Sequence, residues 1–411
     1  MVRTEPAFIV RIRPEDSQKA FVFEGVAGRK VAVGSKQTFE QAIFEQASLR
    51  PMLEELKRIG AGALDLTLEQ ADEALRKLYH AGKMVLYGLL GNDVLNSAGE
   101  LRSLVADSLE SARRNGGTPW VHVATADNDH IAHAIPFELI PFTASGPPPS
   151  VAEDESRLAS VLDGFLGFTT VVRRDLGDLY DGGMIARHEA RVALKLFQNL
   201  SLANAQAEAD YFLQRAEFDV DGPWPVDPLA PQAFTNELQR HIFDPWARLD
   251  GTVRAAPDQI QHFVCHCDTF GDAHGHRFVL QGADGKSLAM SLGELRVALV
   301  ELAEMGRHVK CEMPLVFLNA CGATAMDPRQ LGSFVQFFLQ NRNRGVIGAQ
   351  TMIPDQFAAA FAEMFYSALV FQEMTVGEAV LHARRKLAER KKNMLGLLYM
   401  HYGPPELRVA A

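Results

Sequence analysis

Two unbroken apolar runs, each ending on small and reactive residues, restrict this chain more than any other feature. The first lies within QIQHFVCHC (Ile260 to Val264) and the second within PLVFLNACGAT (Leu315 to Leu318). Runs of this length without polar alternation suit strands buried on both faces of a parallel sheet. Functional groups in open parallel sheets collect beyond the carboxyl ends of the strands. That places His266 at the end of the first strand and Cys321 at the end of the second. A cysteine becomes a nucleophile as its thiolate, and a histidine is the usual base beside it. Neighbouring parallel strands would bring the two into reach although they lie far apart in the chain. The competing reading is a cysteine that merely packs, since Cys is among the most buried residue types.

Further motifs follow in order over Gln259 to Val409. They are HFVCHC, FVLQGADGKSLAMSLGEL, PLVFLNACGAT, RGVIGAQTMIPDQFAAAFAEMFYSALV, TVGEAVLHARRKLAE and YMHYGPPELRV. In that order and spacing the segment resembles the CHAT family of caspase-like cysteine peptidases, relatives of separase. IPFELIPF (Ile135 to Phe142) and FLGFTTVVRRDL (Phe165 to Leu176) carry the resemblance upstream to Leu78. The resemblance implies an α/β fold of the caspase type, a three-layer α-β-α arrangement around a mostly parallel sheet. A degenerate protease-like α/β region and a small N-terminal unit would precede it, with expected boundaries at 1–77, 78–230 and 231–411.

The same resemblance implies roles for individual residues. Cys321 would be the nucleophile and His266 the general base, with backbone N–H groups of Cys321, Cys267 and Gly322 facing the oxyanion. The family usually carries Gly after this His, and here the position is Cys267. A backbone donor needs a permitted φ/ψ rather than a glycine, so the departure bears on loop shape more than on chemistry. Asp355 follows RGVIGAQ and opens the next helix. It matches the position where such proteins keep an acidic residue at the floor of the primary specificity pocket, although Asp is also a common helix cap. The activity implied is that of a cysteine endopeptidase, a regulated effector that cleaves a specific protein partner in bacterial antiviral defence or conflict. A protein substrate and a regulatory protein partner follow from that, and no cofactor or metal is required. The alternative is a non-catalytic caspase-like adaptor or interaction module.

Composition narrows the setting. At 411 residues the chain exceeds what one core accommodates. A net charge of −10 argues against a sequence-independent nucleic-acid surface, which needs clustered Lys and Arg. Four cysteines in this length do not make a disulfide framework, and a reducing, cytoplasmic setting fits them. No run of 18 apolar residues is present to span a membrane. A zinc reading arises from Cys265, His266, Cys267, His274 and His276, with His130 and His133 as further candidates. Adjacent residues on a strand point to opposite faces, which suits tetrahedral ligation poorly, so no metal is expected.

Elsewhere the patterning predicts strands in AFIVRIR, KAFVFEG and RKVAVG and a helix from Phe39 to Ile59. TLEQADEALRKLYHAG reads as a helix capped by Thr67 with Gln70 in a capping box, ending on Gly82. MVLYGLL reads as a strand, Glu100 to Arg114 as a helix, and GGTPWVHVATAD as a strand again. GPWPVDPLAP, with four prolines, reads as a connecting loop, and Pro231 opens the helix that leads into the first organising run.

Overall fold

The computed structural model describes residues 5–13, 19–45, 55–56, 58–60, 63–125, 134–142, 146–174, 183–225, 230–269, 276–282, 285–306, 313–320, 334–351 and 353–410. The chain divides into two units. One comprises residues 1–178, 326–329 and 377–397, and the other residues 179–325, 330–376 and 398–411.

In the first unit, strands β1 (Phe8–Ile12), β2 (Phe21–Glu24), β3 (Lys30–Val33), β4 (Trp120–Thr125) and β5 (Val171–Arg174) form one sheet in the order β3-β2-β1-β4-β5. The three N-terminal strands are antiparallel, whereas β1 runs parallel to β4 and β4 to β5. Helix α1 (Leu68–Leu90) starts at the expected capping box, with Thr67 accepting from the Gln70 N–H and Gln70 reaching back to the Thr67 N–H. It does not stop at Gly82. Ala71, Ala74, Leu75, Leu78, Ala81, Val85 and Leu89 continue one helical stripe into the core, so the strand expected in MVLYGLL is the last part of this helix. Gly82 serves close packing instead, because a Cβ there would lie 2.0 Å from the Leu139 carbonyl oxygen. Helix α2 (Val94–Arg114) follows. The helix Val376–Lys391, far downstream, belongs to this unit over nearly all its length. Its Arg384 joins Arg174 of β5 around the buried carboxylate of Glu138, at 3.4 Å and 2.6 Å. The boundaries expected at 77 and 230 therefore differ from the unit boundaries. α1 runs unbroken through 77, and the N-terminal strands share a sheet with β4 and β5.

The second unit is built on a larger sheet. After β6 (Met184–Ile185) come β7 (Val192–Gln198), β8 (Phe218–Trp224), β9 (Ile260–Thr269), β10 (His276–Gln281), β11 (Ser287–Ser291), β12 (Met313–Ala320), β13 (Asn343–Ala349), β14 (Tyr399–Tyr402) and β15 (Arg408–Val409). β8, β7, β9, β12 and β13 lie side by side in parallel, and β14 closes one end antiparallel to β13. β10 and β11 form an antiparallel hairpin that extends the far end of β9. Short β6 pairs with β15 separately. β8 occupies the stretch FDVDGPW, so part of the expected Pro-rich loop is strand. It pairs with β7 alone among the described strands, and an edge is where a strand tolerates proline.

Helices α3 (Ala205–Leu213), α4 (Pro231–Phe243), α5 (Leu292–Glu304), α6 (Phe334–Gln340) and α7 (Asp355–Tyr366) flank this sheet. Side chains alternate along β9. His262 meets Glu208 of α3 and Tyr366 of α7 on one face. On the other, Gln261 donates to carbonyls at the end of α4, and Phe263 packs on Phe338 of α6. Helices therefore cover both faces, the three-layer α-β-α arrangement with a mostly parallel sheet. Among the described residues, no helix is long and apolar enough to cross a membrane.

A buried ion cluster ties β7 to the start of β9. Lys195 Nζ lies 2.6 Å from Asp258 and donates to the carbonyl of Ala247 at 2.6 Å, while Arg254 reaches the other Asp258 oxygen at 3.0 Å. Burial pushes the Asp258 carboxyl up to about 6 against the pull of Lys195 and Arg254. His241, at the end of α4, is held down to about 3 by burial and by the nearby charges of Lys195 and Arg240.

Candidate functional site

The sheet brings together the two strand ends that organise the sequence. β12 runs parallel to β9 in a register that pairs Leu315 with Ile260 and ends on Ala320 with Cys265. The residues that follow this last pair in the chain are Cys321 and His266. Cys321 and Gly322 lie outside the described residues, as do Cys311, His130, His133 and His274. The first strand does not stop at His266. β9 continues to Thr269, but its partner changes: beyond Cys265 it leaves the parallel ladder and pairs antiparallel with β10, so that Cys267 faces Phe278. His266 thus sits where the parallel core gives way to the hairpin.

Cys265 and Cys267 are buried, whereas His266 between them is half-buried, as strand alternation requires. Among the described residues, no three His, Cys, Asp or Glu side chains gather as a metal cluster would. His276 on β10 is buried, and that burial, with the charge of Arg296, lowers its proton affinity.

A cavity of about 180 Å³ opens beside His266. His266, Cys265, Glu208, Asn319, Asp355 and Tyr399 all line it. Asp355 is the first residue of α7, and it is not an N-cap in the ordinary sense. One carboxylate oxygen accepts from the Gln356 N–H at 2.8 Å, while the other accepts from the N–H of Asn204, at the start of α3, at 3.1 Å. The carboxylate therefore links the beginnings of two helices and also faces the cavity.

Beneath the cavity runs a chain of buried polar side chains. His262 bonds to Tyr366 through Nδ1 at 2.9 Å and to Glu208 through Nε2 at 2.6 Å. The Asn319 amide donates to both oxygens of Glu208, at 2.7 and 3.0 Å, and its own oxygen accepts from the Tyr399 hydroxyl at 2.6 Å. Burial, with the charge of Glu208, raises the Tyr366 hydroxyl well above its ordinary range, so it keeps its proton. Tyr366, His262, Glu208, Asn319 and Tyr399 escape a reading of the sequence alone. The one available signal was polar residues inside otherwise apolar strands, His262 within QIQHFV and Asn319 within FLNAC.

The sequence model of the CHAT domain matches residues 190–402, more than half of the chain. This chain belongs to the CHAT family. The match takes in β7 through β14, and so every strand of the main sheet of the second unit. The CHAT protein is 33% identical over 159 residues to a protein of Vitiosangium sp. (strain GDMCC 1.1324) described as a probable protease, across 38% of this chain and 20% of that protein. The chain thus spans about a fifth of the length of that relative. Among solved structures, the Saccharomyces cerevisiae separase–securin complex aligns with a TM-score of 0.40 and 11% identity, covering 92% of this chain and 23% of that one. The Arg-specific cysteine proteinase gingipain R aligns with a TM-score of 0.39 and 10% identity, covering 76% and 70%.

Proposed function

We propose that this CHAT protein is a cysteine endopeptidase, with Cys321 as nucleophile and His266 as its general base. One observation carries the reading: the β9–β12 ladder ends on Cys265 and Ala320, each followed in the chain by one member of the pair, beside a cavity that His266 lines. His266 takes the thiol proton, and the thiolate attacks the scissile carbonyl carbon. The resulting oxyanion is met by backbone N–H groups of Cys321, Cys267 and Gly322, each such donor contributing about 3 kcal/mol. His266 returns its proton to the leaving amine, and water then releases the acyl group from the sulfur by the same route. Asp355, at the cavity wall, receives a basic or uncharged P1 side chain and disfavours an acidic one, since a like charge in a desolvated pocket is costly. The chemistry requires neither metal nor organic cofactor. The biological role is that of a cytoplasmic effector in bacterial antiviral defence, triggered by a regulatory protein and cleaving a specific protein substrate.

The test maps new protein N-termini in cells expressing the wild type against Cys321→Ala, alongside labelling by an electrophilic peptide probe. Cleavage products should vanish in both Cys321→Ala and His266→Ala while both variants remain folded. Products that persist in Cys321→Ala within tenfold of wild type would refute the nucleophile. Partner capture without any cleavage by the wild type would favour the adaptor.

A further inference from the structure

Strand β11 stands at one end of its sheet and is hydrogen-bonded to β10 on one side only. Among the described residues, Ser287 to Met290 make no backbone hydrogen bond outside that ladder, so the outer row of N–H and C=O groups is unpaired. Proteins commonly blunt such an edge with a lysine, a proline or a bulge, because it invites another strand. SLAMS carries no charge and no proline, and its five residues pair with β10 without a register shift.

The helix that continues directly from this edge has an outer face of the same character. Leu292, Leu295 and Ala298 of α5 are buried, whereas Val297, Val300, Glu301 and Glu304 share the opposite face at helical spacing. Val297 is 59% exposed and Val300 57%, and Met305, just past the helix, is 62% exposed. β-Branched residues are poor helix formers, and at these positions no packing within the chain compensates for them. Glu301 and Glu304 are exposed and form no ion pair among the described residues. An unpaired strand edge thus leads into an apolar strip that bears two uncompensated negative charges.

These features select the occupant. Unpaired N–H and C=O groups take an extended backbone as an added strand. The valines take apolar side chains, and the two carboxylates take Lys or Arg. A second copy of this chain fits less well, because pairing two β11 edges brings two sets of like charges together. We propose that the β11 edge and the outer face of α5 form a docking surface for an extended, basic segment of a partner protein. The register gives such docking a route to His266. Ala289 pairs with Val279 and Val279 with His266, so an added strand continues that row. The docking stands whether or not the protein is a peptidase, and a regulatory effect on cleavage rests on that reading.

The experiment uses the full chain and two short synthetic peptides, one of alternating lysine and valine and one of alternating glutamate and valine. Fluorescence anisotropy reads binding, and amide hydrogen exchange reads backbone protection. The lysine peptide should bind at least about tenfold tighter than the glutamate peptide and slow exchange within residues 287–291. A lysine peptide N-methylated at every residue should lose that binding, since it has no N–H left to donate. Glu301→Lys combined with Glu304→Lys, both at exposed positions, should remove the preference for the lysine peptide. Equal binding of the two peptides, or protection that appears only away from residues 287–305, would overturn the proposal. A preference that survives the double reversal is the attraction of an acidic chain for any cation and overturns it as well. Protection of residues 287–291 that rises with the protein's own concentration gives the edge to a second copy instead. The outcome is separable from the peptidase reading. A protein that docks the lysine peptide but cleaves nothing keeps the surface and loses the regulatory effect, and cleavage that depends on Cys321 without docking does the reverse.

Discussion

Two buried groups in the second unit titrate in opposite directions, and the stability of that unit should record both. His241 ordinarily takes a proton near 6.5 but is held down to about 3 where it lies. Below pH 6.5 the unfolded chain therefore binds a proton that the folded chain refuses. The stability this contributes is complete above 6.5 and is lost as pH falls, by about 1.4 kcal/mol per unit. Asp258 is raised from 3.8 to about 6, so between those values the folded state holds the extra proton. Its contribution is complete below its unfolded value and is lost as pH rises through 6. Across pH 4.5 to 6 the two slopes nearly cancel, and the wild type should show little change from this pair. His241→Gln removes one of them. Relative to wild type, the variant should lose about 2 kcal/mol between pH 4.5 and 6, the integrated effect of the missing His241 term. Asp258→Asn should move the other way, gaining about 1.5 kcal/mol relative to wild type over the same range. Urea unfolding followed through the fluorescence of Trp224, whose ring lies 5.8 Å from that of His241, reads the local transition. A gap between wild type and His241→Gln that stays constant from pH 4.5 to 6 would refute the reasoning.

Other expectations concern glycines and caps. Gly82→Ala should destabilise the first unit by about 1–3 kcal/mol, because its Cβ would meet the Leu139 carbonyl oxygen. Gly99→Ala, inside α2 with open space around the new Cβ, should raise stability by about 0.5–1 kcal/mol. Thermal melts of the two variants must therefore shift in opposite directions. Ser291→Ala should cost about 1 kcal/mol, since Ser291 caps α5 by accepting from the Glu294 N–H and Glu294 reciprocates at 2.7 Å. Helicity or melting unchanged in that variant would count against the capping box.

The organising strands were legible because their burial on both faces leaves apolar runs that no exposed element would carry. The register, which pairs Cys265 with Ala320, is set by the folded sheet and is not written in those runs. Other elements were hidden by local signals of the wrong weight. Gly82 reads as a stop, yet in α1 it answers to a neighbouring carbonyl that only the folded chain supplies. The prolines of GPWP read as a loop, whereas an edge strand has a free side on which a missing N–H costs nothing. Glu208 shows the limit most clearly. A glutamate in AQAEADYFL looks like a solvated helix face, and its burial depends on His262, Asn319 and Tyr366, which come from three other elements. No spacing rule joins residues that meet only across a sheet.

The helix Val376–Lys391 has a consequence for the order in which the protein can be made. Chains leave the ribosome N-terminus first, and domains tend to fold as they emerge. Strands β1 to β5 are all synthesised by residue 174, and Glu138 and Arg174 with them, but Arg384 and the helix that bears it arrive only after β7 to β13 have been made. Until then the first unit lacks the helix that brings Arg384 to the buried Glu138 carboxylate, and the later strands emerge in the meantime. Emergence of the helix Val376–Lys391, rather than completion of residue 178, is the moment at which its interior can close.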